Sequence, residues 1–311
     1  MKIKTILLSL ALFSLVFLSN VKAWDPVSHC YMAETFLDTT SNMVSNLCRN
    51  YRREFLAGAL EPDISIAYYY IEGGKVYRVF HNWNFYDMLE TLATSDAEHC
   101  YAYGIALSHY VPDSYSHNFW LPDSIRQWKN QNWYWHPIQE GRVAASIIKE
   151  KPEVYERCRH ALDIMFENPR LIEITEQAAG TNLPFDVADQ TKSLQTALGT
   201  AWIDVYKPSE DNWLGKYMWP GIATVISTLS DHEDAKPYFE KSSVLMNCMG
   251  NDMSLYSTCN SEMCPLYPHG FDALNEANAE VYSSTILIFL AIIGGILLLV
   301  FGRKRIKKMM R

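Results

Sequence analysis

The chain has 311 residues, 49% of them hydrophobic and 20% charged, which is enough apolar material for one sizeable core. Its net charge is −8, and setting aside three lysines in a leader and six basic residues in a tail leaves −17 for everything between. A domain that acidic is poorly suited to tracking a long phosphate backbone through its general field, yet it tolerates several bound divalent cations.

Residues 1–23 read as a secretory signal peptide: Lys2 and Lys4, an apolar run from Ile6 to Leu18, then Val21-Lys22-Ala23 as a small-residue cleavage site. Cleavage there makes Trp24 the mature N-terminus. Apolar residues at three- and four-residue spacing predict helices over Ser28–Leu37, Ala97–Tyr110, Pro137–Lys149, Pro152–Phe166, Gln190–Asp204 and Gly221–Leu229. Lys75–Phe80, after Gly73-Gly74, is the one stretch that reads as a short strand. The expected fold is mainly α, a multi-helix domain over 24–264 with long ligand-bearing connections. Residues 265–282 form a stalk, and 283–302, apolar from Ile286 to Phe301, approach the roughly 20 residues of a membrane span. The basic tail 303–311 then stays cytoplasmic by the positive-inside rule, which puts the domain outside the cell. Seven cysteines in an exported chain imply disulfides with one thiol left over, and the absence of a C-x2-C pair argues against thiolate zinc.

The chemistry-bearing residues cluster around His109-Tyr110-Val111-Pro112-Asp113-Ser114-Tyr115-Ser116-His117. His109, Asp113 and His117 recur at every fourth position, which stacks them on one helix face. Pro112 conflicts with that, since it removes a helical hydrogen bond and either kinks the helix or starts a new one. His136 and Glu140 repeat the spacing later in the chain. Glu61-Pro62-Asp63 reads as a turn that points one carboxylate inward, and His81 sits among apolar residues where an imidazole needs a partner. Trp24 and His29 stand at the processed N-terminus. His99, His160, His232 and His269 fall outside the pattern and read as ordinary surface or loop residues.

In order, Trp24, His29, Asp63, His81, His109-x3-Asp113, His117 and His136-x3-Glu140 resembles the zinc-dependent phospholipase C family and, more distantly, the single-strand nucleases of the same trinuclear-zinc fold. The resemblance spans residues 24–140. It implies about three zinc ions per chain. Trp24 would bind one through its α-amine and carbonyl, with His29; Asp113 would bridge it to a second held by Asp63, His81 and His109; His117, His136 and Glu140 would hold the third. Asp63 and Asp113 would be the catalytic carboxylates, Asp63 also orienting or deprotonating the attacking water. Asp113 and His117 stand closer than in secreted bacterial phospholipases, and the Trp24–His29 spacing looks more like the nucleases. Glu140 and Gly58-Ala59-Leu60-Glu61-Pro62-Asp63 look more like the phospholipases. The expected activity is hydrolysis of phosphodiesters, phospholipid head groups before nucleic acid, by a membrane-tethered ectoenzyme with no protein partner. Trp128, Trp133, Tyr134 and Trp135, just before His136, can box a quaternary ammonium such as choline or simply pack in the core. A nuclease on the same metal site and a non-catalytic, zinc-stabilised binding domain remain open beside this reading.

Overall fold

The structure, a computed structural model, describes residues 26–68, 75–128, 132–180, 183–206 and 233–258. Trp24, the expected leader, the expected helix over Gly221–Leu229, and the expected stalk, membrane span and tail lie outside the described residues. Those described are mainly helical and include no β-strand. The first half runs α1 (Pro26–Thr39), α2 (Met43–Cys48), α3 (Arg52–Leu60), a 3-10 helix (Glu61–Tyr68), α4 (Lys75–Phe80), α5 (Trp83–Leu92) and α6 (Asp96–Tyr103). A π segment (Gly104–Tyr110), α7 (Val111–Tyr115), a second π segment (Ser116–Trp120) and α8 (Leu121–Trp128) then carry the central motif. After it come α9 (Asn132–Glu150), α10 (Pro152–Ala161), α11 (Asp163–Glu167), α12 (Pro169–Ala179), α13 (Val187–Tyr206), α14 (Lys236–Met249) and a last 3-10 helix (Met253–Thr258). Among the described residues no helix is long and apolar enough to cross a membrane.

Two expectations need correction. Lys75–Phe80 is helical, because Tyr77 and Phe80 stand three apart and are both buried, a pair that alternation would have put on opposite faces. The helix expected over Pro152–Phe166 is two, α10 and α11, broken at Leu162 without a glycine or proline to mark the break. Of the two outcomes expected at Pro112, a new α segment does start there. Pro112 sits in the first turn of α7, between two stretches whose ladder has widened to the π spacing.

The centre of the fold is the crossing of α3 with α6 and the first π segment. Gly58 and Gly104 meet there: a Cβ on Gly58 would lie 2.0 Å from Tyr101 O, and one on Gly104 would lie 2.1 Å from Phe55 O. Backbone rests directly on backbone, and only glycine at both positions permits it. Disulfides pin the neighbouring elements, Cys48–Cys100 joining α2 to α6 and Cys30–Cys158 joining α1 to α10. Cys248 is exposed and bonds to no described cysteine; Cys259 and Cys264 lie outside the described residues. A buried Glu34 on α1 accepts hydrogen bonds from Arg52 and from Arg157 (2.7 Å), which ties α1 to α3 and α10.

Gly58→Ala is expected to cost about 1–3 kcal/mol or somewhat more, since the added methyl meets a carbonyl that cannot rotate away. Thermal unfolding checks this, at about 2–4 °C per kcal/mol for a domain of this size. An unchanged midpoint would contradict the close crossing.

Candidate metal centre

The α3 crossing delivers histidines from three directions to one buried place. His29 comes from α1 and His109 from the first π segment, and both are fully buried. His81 follows α4 directly and is partly exposed as a residue, its ring stacked on Tyr77 with centroids 3.7 Å apart. Asp113 on α7 and Asp63 in the 3-10 helix are buried beside them. The His29 and His109 rings stack with centroids 3.9 Å apart. Asp113 reaches both, Oδ1 at 3.2 Å from His29 Nε2 and Oδ2 at 3.5 Å from His109 Nε2. Among the described residues, His29, Asp63 and His109 form one group whose ligand atoms lie within 4.8 Å of one another, and His81, His109 and Asp113 form another.

The outward nitrogens decide what this cluster can do. His29 Nδ1 lies 2.9 Å from Ser108 O, His109 Nδ1 2.9 Å from Ala59 O, and His81 Nδ1 3.0 Å from Tyr77 O. A carbonyl oxygen only accepts, so each Nδ1 carries the proton and donates. In the neutral ring each Nε2 is then a bare lone pair; those of His81 and His109 face each other, and that of His29 faces Asp113. His81 Nε2 and His109 Nε2 are 3.0 Å apart, a distance at which two lone pairs repel unless a cation or a proton lies between them. A proton is disfavoured. Burial pushes the His81 imidazole down to about 3, against the pull of Asp113, and burial holds His109 well below the ordinary histidine value, with His29 adding to the effect. A metal ion satisfies both nitrogens. The Nδ1–H to carbonyl bond on each ring is the usual support of a metal-ligating histidine, fixing tautomer and ring orientation.

The carboxylates complete the set. Burial alone would raise the Asp113 carboxyl, but His109 and His29 outweigh it and hold the group ionised, well below the usual range. Burial lowers His29, yet Asp113 and Asp63 outweigh that and leave it raised. The neutral His81 and His109 imidazoles and the ionised Asp113 are a donor set for zinc or another borderline divalent ion, which would take the place of the proton that Asp113 favours on His29.

The other expected ligands stand outside these two groups of described residues. His117, in the second π segment, is buried and its charge acts on both His81 and Asp113. Glu140 on α9 is also buried. Neither joins the two groups of described residues just named. His136 lies on α9, four residues before Glu140, but its side chain is outside those described, as are the side chains of Trp128, Trp133, Tyr134 and Trp135. Arg142, two residues beyond Glu140, anchors α9 by donating to Asp234 at 2.6 Å, which also accepts from Trp120 at 3.3 Å.

Two features were not foreseen from residue types. Both carboxylates of the Glu61-Pro62-Asp63 turn are buried, and burial raises the Glu61 carboxyl well above the ordinary range, with Thr191 acting against it. The three carbonyls that orient the imidazoles are backbone groups, so no side-chain pattern announces them. Comparison of the chain with family models, curated proteins and solved structures finds no match.

Proposed function

We propose that this chain is a membrane-anchored extracellular zinc-dependent phosphodiesterase, a phospholipase C-type enzyme that hydrolyses phospholipid head groups. The observation that supports it is the two buried groups that share His109, one with His29 and Asp63 and one with His81 and Asp113, with His81 and His109 Nε2 only 3.0 Å apart. Bound zinc supplies a water with its pKa lowered to about 7 and positive charge for the phosphoryl oxygens. His29, His81 and His109 would hold the metals as neutral ligands. Asp113 has one oxygen toward His29 and the other toward His109, and would be the ligand shared between two metals. Asp63 would orient the attacking water or take its proton. Trp24, through an α-amine created by processing, and His117, His136 and Glu140 would supply the remaining ligands by the family resemblance.

Catalysis needs an approach to the metals as well as a ligand set. His81 is partly exposed as a residue, unlike His29 and His109, which favours an enzyme over a closed structural zinc site. The acidic charge of the exterior segment and a membrane span at 283–302 favour lipid over long nucleic acid. The zinc-loaded protein is expected to release phosphocholine or a related head group from mixed micelles, and to lose this with a chelator. Cleavage of single-stranded DNA or RNA with clearly higher kcat/KM would replace this reading with the nuclease one. Turnover of neither would favour the binding domain.

A further inference from the structure

An imidazole can be held by a carbonyl only if the helix leaves that carbonyl accessible. In an α-helix Ser108 O would receive the N–H of residue 112, and residue 112 is proline, which has none. His29, 79 residues away in sequence, donates to that oxygen at 2.9 Å instead. The ladder changes spacing across this point: Val111 N–H reaches back five residues to Ala106 O, while Ser116 N–H reaches back four to Pro112 O, so residue 112 stands where the α spacing, with Ser108 O as its acceptor, is resumed. A second histidine repeats the arrangement. Ala59 lies where α3 gives way to the 3-10 helix, the donor three residues on is Pro62, and Ala59 O accepts from His109 Nδ1 at 2.9 Å.

We propose that Pro112 is a positioning residue of the metal centre: having no N–H to give Ser108 O, it leaves that carbonyl to hold His29 with Nδ1 protonated and Nε2 aimed at the metal. This rests on the metal-centre reading above. It makes the missing N–H, rather than the bulk of the proline ring, the property that matters. Ala and lactic acid at position 112 separate the two, because they share a methyl side chain and differ in that alanine restores the N–H while the ester of lactic acid does not.

The experiment uses the full-length protein in detergent, as wild type, as Pro112→Ala, and with lactic acid placed at 112 by nonsense suppression. Zinc affinity is read by competition with a chromophoric chelator, and the His29 Nδ1–H by nitrogen–proton correlation spectra of the zinc-loaded protein. Pro112→Ala is expected to bind zinc about 10–100-fold more weakly and to lose or shift the His29 signal. The lactic acid variant is expected to return to wild-type affinity with the signal in place. Equal weakening of both variants, or of neither, overturns the proposal. Should Pro112→Ala fail to fold, a folded lactic acid variant of wild-type affinity supports it, and a lactic acid variant that also fails overturns it. A wild-type protein that binds no zinc is a separate result, and removes the metal-centre reading beneath the proposal before any variant is compared.

Discussion

Asp113→Asn is expected to empty the metal centre. The two Asp113 oxygens face different imidazoles, at 3.2 Å from His29 Nε2 and 3.5 Å from His109 Nε2, so one substitution removes a ligand from both sides of the cluster. Asparagine keeps the shape but offers one neutral oxygen and an N–H2 group that only donates. The charge is lost as well. Asp113 is the buried anion that His109 and His29 hold ionised, and it is what keeps His29 raised against burial. Removing one partner of a buried ionic contact costs about 3–5 kcal/mol. Bound metal is expected to fall by more than one ion per chain, with phosphodiesterase activity lost alongside it. Elemental analysis and thermal unfolding of the variant check this. A variant that kept its metal and its melting temperature would remove Asp113 from the centre.

The second large effect is that of metal removal itself. Zinc that binds the folded chain alone stabilises it by about 4 kcal/mol for each site held at a thousandfold excess over Kd. For a domain of this size that is about 8–16 °C in Tm per site. Acid should produce the same loss, because protons and metal compete for the Nε2 lone pairs. The sign is fixed by which form binds: metal needs neutral imidazole, so affinity is present at neutral pH and falls as pH falls. Burial pushes His81 down to about 3 and holds His109 well below the ordinary value, so these two should keep their metal below the pH at which an exposed histidine, near 6.5, would release it. Melting temperatures measured from pH 7 to pH 4, with and without a chelator, test this. Curves that coincide at neutral pH would mean that no metal contributes to the fold.

Much of the site was legible in the sequence because its side chains are few and chemically distinct. His109 and Asp113 at four-residue spacing do share a place, and Asp63, His29 and His81 are drawn to it from remote parts of the chain. The geometry that brings them together was not legible. A π turn and an α turn read the same in a pattern of four, so the widened ladder at Gly104–Tyr110 leaves no mark in residue types. Pro112, which read as a conflict, falls where that ladder changes. The strand expected at Lys75–Phe80 shows the opposite error. Val76, Tyr77, Val79 and Phe80 have strand-like composition, but His81 reaches Tyr77 O four residues back only because the segment is helical. The Gly58–Gly104 contact depends on two backbones meeting across 46 positions of sequence, and a lone glycine in a helical pattern does not say which other glycine it will face.

The most direct test is the metal content of the purified full-length protein, measured by elemental analysis after exhaustive dialysis. The convergence of His29, His81, His109, Asp63 and Asp113 predicts zinc retained at two or more ions per chain, and the family resemblance puts the number close to three. A well-folded protein that retains no divalent metal and takes up none on addition of zinc would contradict it.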